Sequence, residues 1–549
     1  MTPLPASAAL RARADGQWLL AALLLLLLAL KVVYHLGPIE YEPDPSLYYD
    51  IAAHVRDGDG LVTDVSLFNA GYSYFPHPIA LYPLWPLVLG LCARVVPIAW
   101  LAVWLPTLCY FATLLLAYRL AVRIVPGPLF PGRAPGLNAG HATVLVLGFT
   151  NPMFFTTSQP FTEGPAYLLL TLAMLRTHAL CSRPGVARGL EVGVWMGLLV
   201  LCRSQLVLAP LALAVALAWG ALRLGARRHV PAALAFALAF TAILGLQIWH
   251  IASFAAEPRW AYIMRFDLYR EPSSLPPLEI MVATSGPLAY LLDRLSGLPV
   301  AFGFGSSSYL HTFGGWALAL PLALPFALRD GWRAARARWT APRRPPRPPA
   351  GVFAVFLIVL AAAGLLSLHT IHKAWFSEWN FGTRHALTAA LALLGALLYL
   401  ARRPGVSRVL AMLLLLGGGL GGALRLAYFI HRPPAENPAM VARVGVVAWL
   451  AARAAAEPGL RVAAPDIDAQ HLARLGDGVG YHWYYHTFTW DELQVLFDEL
   501  GARYLLLRVD AKPPEFQRDR GRFDRGFAPV VTLSSFVVFR RRTPDEPTQ

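Results

Sequence analysis

"QWLLAALLLLLLALKVVYHL", residues 17–36, is followed after a short connection by "YEPDPSLYYDIAAHVRDGDG", residues 41–60. The first stretch supplies the roughly 20 apolar residues needed to cross a bilayer core. The second sets carboxylates, tyrosines and prolines at the point where such a helix leaves the membrane. No small-residue cleavage site follows the apolar run, and further runs come after it. It therefore reads as a retained anchor and not as a removed signal peptide.

The rest of the composition agrees. Of 549 residues, 56% are hydrophobic and only 14% charged, and the apolar residues fall in blocks parted by short Arg and Pro clusters, which a soluble chain of this size would not show. The formal charge of +15 would suggest nucleic acid in a soluble protein. Here the arginines lie between apolar blocks, so membrane topology accounts for them and no nucleic-acid partner is expected. Cys92, Cys109, Cys181 and Cys202 all lie in or beside apolar segments, which argues against structural disulfides and against a cysteine metal site.

About twelve apolar blocks can be marked, near residues 17–36, 79–97, 99–124, 139–157, 163–181, 189–202, 204–222, 231–254, 311–328, 351–370, 385–401 and 409–430. Helices are expected, because a lipid-exposed backbone must satisfy its own hydrogen bonds. The Arg-rich loop "RDGWRAARARWTAPRRPPRPP", residues 329–349, with "SRPGVAR", "RLGARRH" and "ARRPGVSR", is assigned to the cytoplasm by the positive-inside rule. Loops 37–78, 255–310 and 368–385 and the tail from residue 431 then lie outside. Between the first outer loop and Glu163 the crossings must be even in number, yet three blocks occur. One of them is partial or re-entrant, or residues 119–133 break the charge rule, and the total stands at 11 to 13 spans.

The tail is patterned differently. "GLRVAAPDI", "RYLLLRV" and "PVVTLSSFVVFRR" alternate like strands, and "TWDELQVLFDELGA" has helical spacing. The expected division is a multispanning domain over 1–430 and a small α/β domain over 431–549, with no solenoid repeat.

At the membrane exit, Asp44 stands between Pro43 and Pro45, which disfavour helix there. From Leu47 to Val55 the spacing places Tyr48, Ile51, Ala52 and Val55 on one face, predicting an amphipathic helix on the membrane surface with Asp44 at its start. A carboxylate so held can act as a general base toward a hydroxyl. On spacing alone it reads equally as a solvated cap at the interface.

The pattern as a whole resembles the superfamily C (GT-C) glycosyltransferases, multispanning enzymes that include the lipid A aminoarabinose transferases and the protein O-mannosyltransferases. Asp44 and Tyr48 match the Asp and Tyr that open the family's first external loop, while Pro45 replaces a second acid common there. "YFPHPIALYPLWPLVLGL", residues 74–91, resembles the family's Pro-rich approach to the next span, with His77 at a basic position. "SQPFTEGPAYLLLTLAMLRT", residues 158–177, resembles its acid-led span, with Glu163 as the acid. "GLLVLCRSQLVLAPLALAV", residues 197–215, has Arg203 at the break between spans, and "FSEWNFGTRHALTAALALLGAL", residues 376–397, supplies Arg384 and His385. The likeness runs in order over about residues 15–400.

That resemblance implies transfer of a sugar from a polyprenyl-phosphate carrier to a hydroxyl of a glycan, lipid or protein at the external face of a bacterial inner membrane, with inversion at the sugar carbon. The lipid-linked sugar is a co-substrate, and membrane lipid surrounds the chain. Asp44 is the expected general base. Arg203, Lys373, His372, Arg384, His385 and His77 are candidates to meet the phosphate, with Tyr48 and Glu163 beside the substrates. The alternative for Arg203 is a structural ion pair with Glu163, and for Glu163 a helix-start acid that satisfies the dipole. Asp44 and Glu163 could also meet across a divalent cation. In loop 255–310, Arg259, Arg265 and Arg270 stand among aromatic residues that suit a lipid-gripping helix or a lid. In the tail, "GDGVGYHWYYHTFTW", residues 476–490, offers aromatic rings for an acceptor sugar or for seating the domain. His482 and His486 have helical i, i+4 spacing, but no third zinc ligand is near and the Gly-rich start favours a loop. A noncatalytic relative, which the missing acid at position 45 keeps open, and a secondary transporter are the competing readings. The transporter is disfavoured because no paired halves are visible.

Overall fold

The structure is a computed structural model that describes residues 6–36, 43–67, 77–78, 83–130, 134–253, 352–360, 363, 423 and 426 and, in the tail, 438–465, 468–476, 478–484, 490–509 and 520–542. Loops 255–310 and 368–385, with Lys373, His372, Arg384 and His385, lie outside the described residues, as do the blocks 311–328 and 385–401.

The anchor is α1 (Ala6–Leu36), and α2 (Pro43–Asp57) follows it. Next come α3 (Leu84–Cys92), α4 (Ile98–Ile124), α5 (Ala139–Gly148), α6 (Asn151–Thr156), α7 (Glu163–Ser182), α8 (Val186–Cys202), α9 (Leu208–Leu224) and α10 (Ala226–Ser253). Among the described residues, three stretches are long and apolar enough to cross a bilayer: Gly16–Leu36, Ile98–Ile124 and Ala226–Trp249.

Helix lengths distinguish the blocks before Glu163. α3 has only 9 residues, about 13 Å at the helical rise, against a hydrocarbon core of about 30 Å. Its Trp85 Nε1 donates to the carbonyl of Pro160 (2.8 Å). α4 is a full 27 residues, and α5 with α6 forms one interrupted return. At the start of that return Asn138 and His141 cap each other reciprocally, and His141 Nε2 donates to the Gly16 carbonyl (2.7 Å). The beginnings of α5 and of the first apolar run are thereby tied at one level. α3 is too short to cross the core on its own.

α8 and α10 lie along each other over several turns because α8 offers Gly189, Gly193 and Gly197 toward α10. A Cβ at Gly193 would meet the Phe236 carbonyl at 2.5 Å, and one at Gly197 would meet Ile243 Cβ at 2.6 Å. Such small-residue spacing lets backbones approach where lipid gives helices no hydrophobic drive to associate.

In the tail, α11 (Pro438–Ala456), β6 (Arg461–Pro465), α12 (Asp468–Ala473), β7 (Gly480–Tyr484), α13 (Trp490–Asp498), β8 (Tyr504–Arg508), α14 (Arg520–Gly526), β9 (Phe527–Leu533) and β10 (Phe536–Arg541) build an α/β layer. Three of the expected strand segments and the expected helix correspond to β6, β8, the β9–β10 pair and α13. His482 lies on β7, a strand where a loop was expected. The sheet has six strands in the order β2-β7-β6-β8-β10-β9, and its first member, β2 (Val65–Leu67), comes from the first loop. β2 runs parallel to β7, with Val65 opposite Tyr481 and Leu67 opposite Trp483. A second, two-stranded pairing joins β1 (Val62–Thr63) to β3 (His77–Pro78), which sets His77 across from Thr63. The small hairpin β4 (Pro128–Phe130) and β5 (Ala134–Asn138) precedes α5.

Candidate active site

Asp44 lies inside the first turn of α2, since the helix begins at Pro43 and not beyond Pro45. The expectation that these prolines exclude helix fails for a simple reason. In the first turn the missing amide hydrogen has no intrahelical acceptor to lose, and the fixed φ already suits a helix. Asp44 is thus a partly exposed carboxylate at the positive end of a helix, with Tyr48 buried one turn on.

The expected apolar face of α2 exists, and protein covers it. Tyr48, Ile51, Ala52 and Val55 are all buried. A Cβ at Gly90 of α3 would fall 2.5 Å from Val55 Cβ, so α2 and α3 are in backbone contact distance. Arg94 Nη2 donates to the Val55 carbonyl (3.2 Å), closing the end of α2. From the tail, α12 packs on α2, and Ser46 Oγ meets His471 Nδ1 at 3.4 Å. The helix bearing Asp44 is held between the bundle and the tail.

Glu163 and Arg203 are brought together. Arg203 Nη1 lies 2.9 Å from Glu163 Oε1 and donates to Thr162 Oγ1 at 3.0 Å. Glu163 opens α7, Arg203 ends α8, and Cys202 Sγ donates to the Thr162 carbonyl (3.5 Å). The pair is nearly dry, its side chains 1% and 12% exposed. Of the two sequence readings for Arg203, the geometry shows the ion pair.

The sequence also held a group that had no role assigned. Lys31, within the first apolar run, is fully buried and donates to the Phe154 carbonyl (2.6 Å), Thr157 Oγ1 (2.9 Å) and Ser158 Oγ (2.6 Å). Its ammonium also rests on the rings of Tyr110 and Phe154. A lone lysine inside an apolar run was the available signal, since such residues turn inward to partners. Lys31, Trp85 and Arg203 together pin the turn 154–163 from three helices.

A further cluster lies on the last turns of α2. Asp50, His54 and Asp64 present donor atoms that all lie within 4.8 Å of one another, the one such group of three among the described residues. Burial, then the neighbouring Asp64, pushes Asp50 up to about 6 against its hydrogen bonds. Burial would lower His54, but the Asp64, Asp59 and Asp50 carboxylates around it carry it up to about 9.

No family model matches the chain, and no curated protein matches it. Solved structures do. ArnT from Cupriavidus metallidurans bound to undecaprenyl phosphate superposes with a TM-score of 0.54, covering 96% of this chain and 99% of that one at 14% identity. The chain shares the fold of ArnT. The apo state of ArnT matches over 96% and 98% with a TM-score of 0.50 at 14% identity. The fold expected from the resemblance is thus the fold found, and the match over 96% of the chain also takes in the tail.

Proposed function

We propose that this chain is an integral-membrane glycosyltransferase that moves a sugar from a polyprenyl-phosphate carrier to an acceptor hydroxyl of a glycan, lipid or protein. The observation that carries the reading is the ArnT fold, end to end in both chains, one of whose structures holds undecaprenyl phosphate. The parallel pairing of β2 with β7 supports placing the first loop and the tail on one side of the membrane, which we assign to the external face.

In this reading Asp44 takes the proton from the acceptor hydroxyl as the oxygen attacks the sugar carbon, and the bond to the carrier phosphate breaks with its electron pair. Lipid phosphate leaves without protonation when cations and hydrogen-bond donors face it. Lys373, Arg384 and His385 are assigned to that task by sequence order, with His77 at its margin. The Glu163–Arg203 pair is formally neutral, so its part is to order the turn 157–163, and Arg203 assists the phosphate only by sharing itself with Glu163. Tyr48 supports α2 from its buried side.

The test is transfer of label from radiolabelled polyprenyl-phosphate sugars to a membrane extract by purified protein in nanodiscs. Asp44→Asn should lower the rate by about 10² to 10⁴ with the melting temperature unchanged. Near wild-type transfer in the variant would remove Asp44 from the mechanism. A folded wild-type protein inactive with every carrier would favour the noncatalytic relative.

A further inference from the structure

We propose that Asp50, His54 and Asp64 bind a divalent transition-metal ion, Zn²⁺ or Mn²⁺, that clamps the loop following α2 onto that helix.

Asp50 and His54 share a face of α2 at i, i+4 spacing. The chain then folds back on itself at Gly58 and Gly60, both with positive φ (100° and 94°), and delivers Asp59 and Asp64 to the same place. His54 Nδ1 is engaged by Asp59 Oδ2 at 2.9 Å. That contact turns Nε2 toward Asp64 Oδ2 at 3.4 Å and Asp50 Oδ1 at 4.0 Å. Charged hydrogen bonds close to about 2.7–2.9 Å, so Nε2 stands back from both carboxylates. Two ligands at about 2.0–2.2 Å from one tetrahedral zinc ion are separated by roughly 3.4 Å, which is the Nε2–Asp64 distance, while Asp50 Oδ1 stands further off at 4.0 Å.

Asp50 points independently to a ligand. It is only 4% exposed. Its Oδ2 accepts from Thr63 Oγ1 (2.5 Å) and from the Asp64 amide (3.0 Å), while its Oδ1, aimed into the cluster, has no hydrogen-bond donor among the described residues. Besides His54 at 4.0 Å, that oxygen has room for a cation. Each proposed ligand but Asp64 also has an outer partner that fixes it: Asp59 on the imidazole, and Thr63 with the Asp64 amide on Asp50. This is the usual support around a metal-binding histidine or carboxylate. One imidazole and two carboxylates suit zinc or manganese, and water would complete the coordination. Asp64 immediately precedes β2, so the ion would fix where that strand leaves α2.

The experiment is metal content and binding on the full-length protein, stripped with chelator in detergent and then titrated with Zn²⁺ and with Mn²⁺ by calorimetry. Wild type should take up about one ion per chain, and Asp64→Asn and His54→Gln, which remove a ligand outright, should each weaken binding by more than the roughly 10- to 100-fold that loss of an outer partner costs. X-ray absorption at the metal edge should show one imidazole nitrogen among oxygens. No uptake by folded wild-type protein, with a protonated His54 alone balancing the acids, would overturn the proposal. So would unchanged affinity in both variants. Binding is read without turnover, so a chain that holds the ion but transfers no sugar would retain this site and lose the function proposed above.

Discussion

At the scale of single residues, the Glu163–Arg203 contact makes a prediction that separates support from chemistry. Breaking a buried pair by neutralising one partner leaves an uncompensated charge and costs about 3–5 kcal/mol. Glu163→Gln should therefore lower the melting temperature, and Glu163→Gln combined with Arg203→Gln should recover most of the loss. If the single variant melts like wild type, the pair is not what holds α7 to α8. The sequence brought both residues to notice but left open whether they met, because a break between spans shows where an arginine sits and not what it faces. Lys31 was equally visible as a lone charge in an apolar run. Its acceptors at 154, 157 and 158 are a distant part of the chain, so no local pattern could name them.

At the scale of elements, the α8–α10 crossing depends on missing side chains. Gly193→Val would drive its side chain into the Phe236 carbonyl and force the helices apart. Overpacking of this kind costs typically about 1–3 kcal/mol, and the expected outcome is a lower melting temperature in detergent. Gly245 on α10 has open space around its Cβ position, so Gly245→Ala should be tolerated and provides the control. Long elements were the most readable. α4, α7, α13 and the β9–β10 pair follow from periodicity, whereas α3 was not separable from a full span, because its apolar block runs on through 93–97 where the backbone turns. β2, three residues long, gave no signal of its own. Its partner is β7, and a parallel strand so far along the chain leaves no mark on local alternation.

At the scale of the whole molecule, two buried imidazoles lie where tail and first loop join. His471, on α12 against Ser46, is held down to about 3 by burial and by Arg443, Arg474 and Arg508. His482, on β7 beside β2, is held down to about 4 by burial and by Arg461, against the opposing pull of the Leu500 backbone. Both are neutral in the fold. As pH falls below about 6.5, the unfolded chain takes up protons that the folded chain refuses, so stability is full above that value and declines toward pH 4. The melting temperature of the tail should fall across this window. A variant with His471→Asn and His482→Asn should show a shallower decline, and an equal slope in both proteins would contradict the assignment.

The strand that the first loop lends to the tail also sets an order of events during synthesis. β2 emerges early and waits, because the strand that receives it is Gly480–Tyr484. At about 5–20 residues per second the interval is roughly 20 to 80 s. Through that time the bundle is being inserted while the helix with Asp44 lacks α12 on its outer side. A chain that stops short of the tail never acquires that cover. A part of the protein made late thus completes the surroundings of its first loop, and only chains that reach the tail present them finished.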